Sequence, residues 1–108
     1  MPERYPDVRF EFLIAADNCK AYETRGTVIV REGEMVLEVE WPDARPYLIR
    51  GKAKLDFFHG RHEGLPDDDR VEAKWIRLDD IYIGTWVEEG KDYLFRFRLP
   101  KNQETPAG

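Results

Sequence analysis

The segment Phe57-Phe58-His59-Gly60-Arg61-His62-Glu63-Gly64-Leu65-Pro66-Asp67-Asp68-Asp69 concentrates the side chains best able to do chemistry. It holds both histidines of the chain, one arginine and four acids. Imidazoles and carboxylates are ligands of zinc, iron and manganese, and polar connections carry binding residues more often than scaffolds do. Spacing decides between these uses. His59 and His62 would share one side of a helical turn, but Gly60 and Gly64 oppose a helix there. In a strand, residues three apart point to opposite faces. The zinc-protease pattern, two histidines at i and i+4 flanking a glutamate, is absent. The reading is therefore a polar loop in which His59, Arg61, His62, Glu63 and Asp67 are candidate ligand-binding residues, with no catalytic residue, metal or cofactor assigned. The alternative is a metal-dependent enzyme using His59, His62, Glu63 and one of Asp67, Asp68 and Asp69.

Other signatures of catalysis are missing. The sequence has no nucleophile elbow, phosphate loop or dinucleotide fingerprint. General acid–base work needs a sequestered, shifted group, and Glu38, Glu40 and Asp56 sit beside charged or wet positions. Cys19 is the single cysteine, so neither an intrachain disulfide nor a cysteine-based zinc site can form. A reducing compartment fits this usage, and the opening Met-Pro-Glu-Arg-Tyr-Pro lacks the apolar core of a signal peptide. A cytoplasmic location is the expectation.

These residues need a scaffold, and the chain supplies one in alternation. In Val8-Arg9-Phe10-Glu11-Phe12 the even positions are apolar and the odd ones charged. Met35-Val36-Leu37-Glu38-Val39-Glu40-Trp41 and Tyr93-Leu94-Phe95-Arg96-Phe97-Arg98-Leu99 repeat the pattern with odd positions inward. Such alternation marks half-buried antiparallel strands. Tyr22 to Arg31 and Tyr47 to Phe58 read as further extended segments, the latter with Ile49, Ala53, Leu55 and Phe57 on one face. Ile81 to Val87 is apolar on both faces, which predicts a covered or central strand. Glu32-Gly33 and Glu89-Gly90 mark hairpins whose glycines take the left-handed conformation. Gly26, Gly51 and Gly84 interrupt strand patterns, as in strongly bent strands of a small barrel. The span from Pro66 to Asp80 is ambiguous. Val71, Trp75 and Leu78 fit a helix, whereas Val71, Ala73 and Trp75 fit a strand, which the neighbouring strands favour.

The fold class expected is all-β: a single small antiparallel barrel or sandwich of about seven strands built from hairpins. A short helix near 67–78 is the variant. The domain spans 1–100, and residues 101–108 read as a flexible C-terminal tail. Six Phe, five Tyr and three Trp in 108 residues supply a substantial core. Phe10, Phe12, Trp41, Phe57, Phe95 and Phe97 are expected inward. Phe58 and Leu94, with Leu13, Val36 and Leu48, are expected on the outer face, where a contiguous patch would mark an interface. Gly84-Thr85-Trp86 resembles the Gly-x-Trp of lipocalin-like barrels in these three residues only. There the motif opens the first strand. A cavity lined by Trp75, Tyr82 and Trp86 is a third, weaker reading.

Seventeen bases against 22 acids give a net charge of -5, spread over both halves. This argues against a nucleic-acid partner, which selects for a basic face. Arg9, Arg25, Arg50, Arg96 and Arg98 are the residues from which a basic patch would form. No apolar run reaches the ~20 residues of a membrane span, so no membrane partner is expected. The function read from the sequence is a non-catalytic binding domain for a protein or small-molecule ligand, with a homodimer as the expected assembly if outer apolar residues cluster.

Overall fold

The computed structural model describes residues 2–14, 20–41, 44–63, 71–88 and 90–99, all but the ends and turns of them in strands. Eight strands follow one another: β1 (Glu3–Ile14), β2 (Lys20–Arg31), β3 (Glu34–Trp41), β4 (Ala44–Lys54), β5 (Phe57–His62), β6 (Val71–Leu78), β7 (Ile81–Glu88) and β8 (Lys91–Arg98). Each pairs antiparallel with the next, and β8 returns to β1, with Phe12 opposite Phe95 and Leu13 opposite Leu94. The result is a closed up-and-down barrel rather than a sandwich. Closure leaves no unpaired sheet edge.

The hairpins follow turn chemistry. Gly33 and Gly90 sit at φ of 74° and 79°, where a Cβ would clash with the backbone. β4 and β5 are joined by Leu55-Asp56, and β6 and β7 by Asp79-Asp80 with Asp79 at φ 64°. Asp tolerates that region because its short polar side chain bonds locally. Glu32-Gly33, Leu55-Asp56 and Asp79-Asp80 close one end of the barrel. The strand ends Ile14 and Lys20, Trp41 and Ala44, His62 and Val71, and Glu88 and Lys91 lie at the other end.

Alternation sends the apolar set inward. Phe10, Phe12, Val28, Leu37, Val39, Ile49, Trp75, Trp86, Phe95 and Phe97 form one buried cluster. An eight-stranded barrel has an interior just wide enough for side chains to fill. Here the indole of Trp75, 1% exposed, occupies the middle of it. Its ring lies over Gly51, where an added Cβ would stand only 2.7 Å from Cζ2. Its Nε1 points at Met35 Sδ, 3.3 Å away. Phe58 stacks on it at 5.7 Å between ring centroids, and Phe95 meets it edge-on at 6.1 Å. Gly51 is thus a glycine because an aromatic ring takes the place of its side chain.

Several expectations change. The strands number eight, and residues 71–78 are strand β6, not helix. Phe57 and Phe58 exchange roles: Phe58 pairs with Trp75 on the inner face, and Phe57, opposite Lys54, faces out. The cause is the two-residue turn at Leu55-Asp56, which breaks the phase of a run that reads as continuous. Leu55 itself lies at that turn, fully exposed. The outward residues of β7 have no second layer over them among the described residues. Glu38 and Glu40 on β3 do not meet Arg96 and Arg98 on β8. Arg96 bonds Glu11 at 2.5 Å, and Arg98 approaches Asp80 at 3.5 Å. Cys19, Asp67 to Asp69 and the tail 101–108 lie outside the described residues, as do the side chains of Trp41 and Arg45.

Candidate functional site

Three of the five candidate residues, His59, Arg61 and His62, lie in strand β5 rather than in a loop, and Glu63 follows it directly. Alternation divides them. His59 pairs with Lys52 and Lys74, and Arg61 with Arg50 and Glu72, all on the outer wall. His62 pairs with Ile49 and turns inward. The two imidazoles are therefore on opposite sides of the wall and do not share a ligand through β5. Among the described residues no group of three His, Cys, Asp or Glu side chains converges as a metal site.

On the outer wall, His59 Nε2 lies 2.5 Å from Glu72 Oε2. That hydrogen bond holds the Glu72 carboxyl below the usual range. Its partial burial opposes the shift, and the charges of His59, Arg61 and Lys74 add to it. Arg50 reaches two carboxylates, Glu63 at 3.2 Å and Glu34 at 3.3 Å, and hydrogen bonds to both raise its pKa further. Between β4 and β5 these side chains border a shallow groove of about 340 Å3, with Lys52, Lys54 and Arg61 on its walls.

On the inner side, the His62 ring meets Tyr47 edge-on at 4.9 Å between centroids. Its Nδ1 is 3.3 Å from Leu48 N and 3.2 Å from Leu48 O. The Leu48 carbonyl already accepts the Glu63 N–H at 2.9 Å. His62 Nε2 is buried without a hydrogen-bond partner. Beside it stands a group that sequence reasoning missed. Tyr47 Oη donates to Glu88 Oε2 at 2.6 Å, and Trp86 Nε1 donates to Glu88 Oε1 at 3.2 Å. Glu88 is the last residue of β7, placed opposite Val71 on the inner face, so both of its oxygens are taken by aromatic donors at the barrel mouth. The only signal in the chain was a glutamate at an inward parity of a strand that otherwise buries Trp86.

The third feature is apolar. Ile76 pairs with Ile83 across β6 and β7, and Leu94 pairs with Leu13 across β8 and β1, all facing outward. Ile76, Ile83 and Leu94 are 41%, 38% and 49% exposed. Leu13, Ala21, Ile83 and Leu94 border one groove of about 420 Å3, rimmed by Glu11, Glu23 and Arg96. Leu13 and Leu94 are where the sequence placed them. Phe58 has gone inside, and Val36, though on the outer wall opposite Arg50, is buried.

The lumen offers less. Trp75 and Trp86 are buried in the core cluster, and Tyr82 stacks on Phe97 at 5.0 Å. The three residues expected to line a cavity instead pack the interior. Fold and site together define a small closed β-barrel with a filled core, a polar cluster at one mouth, and further polar and apolar features on the outer wall. No protein family matches this chain, and no curated protein or solved structure matches it.

Proposed function

We propose that this chain is a non-catalytic interaction domain that binds through its outer wall, with a second copy of itself on the apolar stripe of β6, β7, β8 and β1. The observation that carries the reading is the contrast between a filled lumen and a stripe left uncovered among the described residues. A barrel that stores a small apolar ligand keeps its interior open, whereas here Trp75 closes it. Apolar side chains clustered on a surface and rimmed by polar ones mark contact sites.

The rim supports a second copy as the occupant. It carries both signs: Glu11 and Glu23 beside Arg96 and Arg9, with Arg9 Nε 2.8 Å from Glu23 Oε2. A two-fold interface uses the same patch on both partners, so that patch must complement itself. A mixed rim meets that condition, whereas a rim of one sign would repel its copy. The stripe is small beside the ~800 Å2 per partner of a standard interface, so the dimer is a weak one.

The test is gel filtration at matched concentrations of the unmodified chain and an Ile83→Asp/Leu94→Asp variant. Both positions face solvent, so the variant retains its melting midpoint and strand spectrum. The expected result is earlier elution of the unmodified chain. Identical elution at all concentrations would overturn the reading.

A further inference from the structure

We propose that the outer groove between β4 and β5, with Lys74 of β6 beside it, is a binding site for a compact anion carrying two phosphate groups. The first observation is register. Arg50 stands directly opposite Arg61, and Lys52, His59 and Lys74 form one row across three strands. Like charges directly opposite one another destabilise a sheet. The barrel's other facing arginines, Arg9 and Arg25, each reach a carboxylate, Glu23 and Asp7, as Arg31, Arg96 and Arg98 also do, whereas Arg61 forms no ion pair among the described residues.

The second observation is that these cations are largely unspent. Lys52, Lys54, Arg61 and Lys74 are exposed and, among the described residues, form no ion pair. Arg50 is held by Glu34 and Glu63, and His59 by Glu72. Among the described residues, five fixed cations (Arg50, Lys52, Lys54, Arg61, Lys74) against three acids (Glu34, Glu63, Glu72) leave a local surplus of two, on a chain whose net charge is -5. Glu34 stands opposite Lys52 and Glu72 opposite Arg61, so the compensation is partial, and a ligand is expected to supply the remainder where a fold sets like charges together.

Geometry sets the size of that ligand. Neighbouring strands lie about 4.8 Å apart, and same-face residues about 6.7 Å apart along a strand. The two cationic rows are therefore one such step apart, a separation that two linked phosphates bridge. Arg61 offers the fork that binds a phosphate through two parallel hydrogen bonds, and the lysines act as point charges. Gly60, at an inward position of β5, contributes only backbone to the floor. A Cβ there would press on the Arg50 carbonyl carbon at 2.7 Å. A long polyanion is disfavoured by the acidic balance of the chain and by a groove lining without Phe, Tyr or Trp for bases to stack upon.

The experiment is calorimetric titration of the unmodified chain in low salt with pyrophosphate, with inorganic phosphate and a single-stranded oligonucleotide as parallel arms. One-site binding of pyrophosphate is expected, with phosphate weaker by at least about tenfold, one linkage of two being lost. Arg61→Gln and Lys52→Gln should each weaken pyrophosphate binding by about tenfold or more. Lys91→Gln, on an exposed cation of β8, should leave it unchanged. Three results would each overturn the proposal: no heat up to about 10 mM pyrophosphate, equal weakening by Lys91→Gln, or tighter binding of the oligonucleotide. None of them bears on the apolar stripe, whose test is the state of association.

Discussion

Replacing Gly51 by alanine adds one methyl group at the most crowded point of the barrel. Its carbon would stand 2.7 Å from Trp75 Cζ2 and 3.2 Å from Cζ3. Carbon atoms rest at about 3.5–4.0 Å, so the indole must retreat by roughly 1 Å. It has nowhere to go. Phe58 is stacked on one side, Phe95 stands edge-on, and Met35 Sδ receives the ring N–H at 3.3 Å. Overpacking of a tight core costs about 1–3 kcal/mol, which for a domain near 100 residues is a fall of roughly 4–20 °C in melting midpoint. The cost belongs to the pair, so Trp75→Phe should relieve it. Trp75→Phe alone leaves a cavity and also destabilises, but the double variant should cost at least about 1 kcal/mol less than the sum of the singles. Thermal and urea unfolding of the four proteins measure this. A Gly51→Ala variant as stable as the parent, or strictly additive effects, would refute the filled lumen.

Three further outcomes follow from the same geometry. Gly33→Ala has open space around it but a φ of 74°, so it should cost about 1–2 kcal/mol through backbone strain alone, seen as a lower urea midpoint with an unchanged slope. Tyr47→Phe removes the 2.6 Å donor to Glu88 and should cost about 1–3 kcal/mol, whereas His62→Phe removes a buried nitrogen with no partner and should cost less; unfolding of the two side by side would show the reverse order if the mouth cluster is unimportant. The Glu72 carboxyl is held low by its hydrogen bond with His59, so its contribution is present above the unfolded carboxylate pKa of about 4.3 and lost as pH falls through the folded value. Because the side chain is 42% exposed, the effect is capped at a few tenths of a kcal/mol: the unmodified chain should exceed Glu72→Gln slightly at pH 6 and not at pH 3, and a pH-independent gap would contradict the assignment.

Much of the scaffold was legible because period-2 alternation is a local signal. Phe10, Phe12, Phe95 and Phe97 face inward as their spacing predicts, and Gly33 and Gly90 turn where a left-handed residue is needed. The inward position of Gly51 hinted at close approach, but which ring approached it was not written locally. The count of strands failed at Leu55-Asp56, where Leu55 continues the apolar alternation and Asp56 is the lone turn residue, and that single omission reversed Phe57 and Phe58. Barrel and sandwich share the same alternation, so closure of β8 onto β1 had to be seen. At the candidate site, the opposition of His59 and His62 followed from strand parity. The Arg50–Arg61 and Lys52–His59–Lys74 rows depend on cross-strand register, and the Tyr47–Glu88 bond joins residues 41 apart.

The account turns on the outer wall, and the most direct measurement is the mass of the unmodified chain by sedimentation equilibrium as its concentration is raised. A 12.8 kDa chain that pairs through Leu13, Ile76, Ile83 and Leu94 should rise toward twice that mass in the micromolar to submillimolar range, and Leu94→Asp should abolish the rise. A mass that stays at that of one chain throughout would contradict the self-association at the centre of this reading.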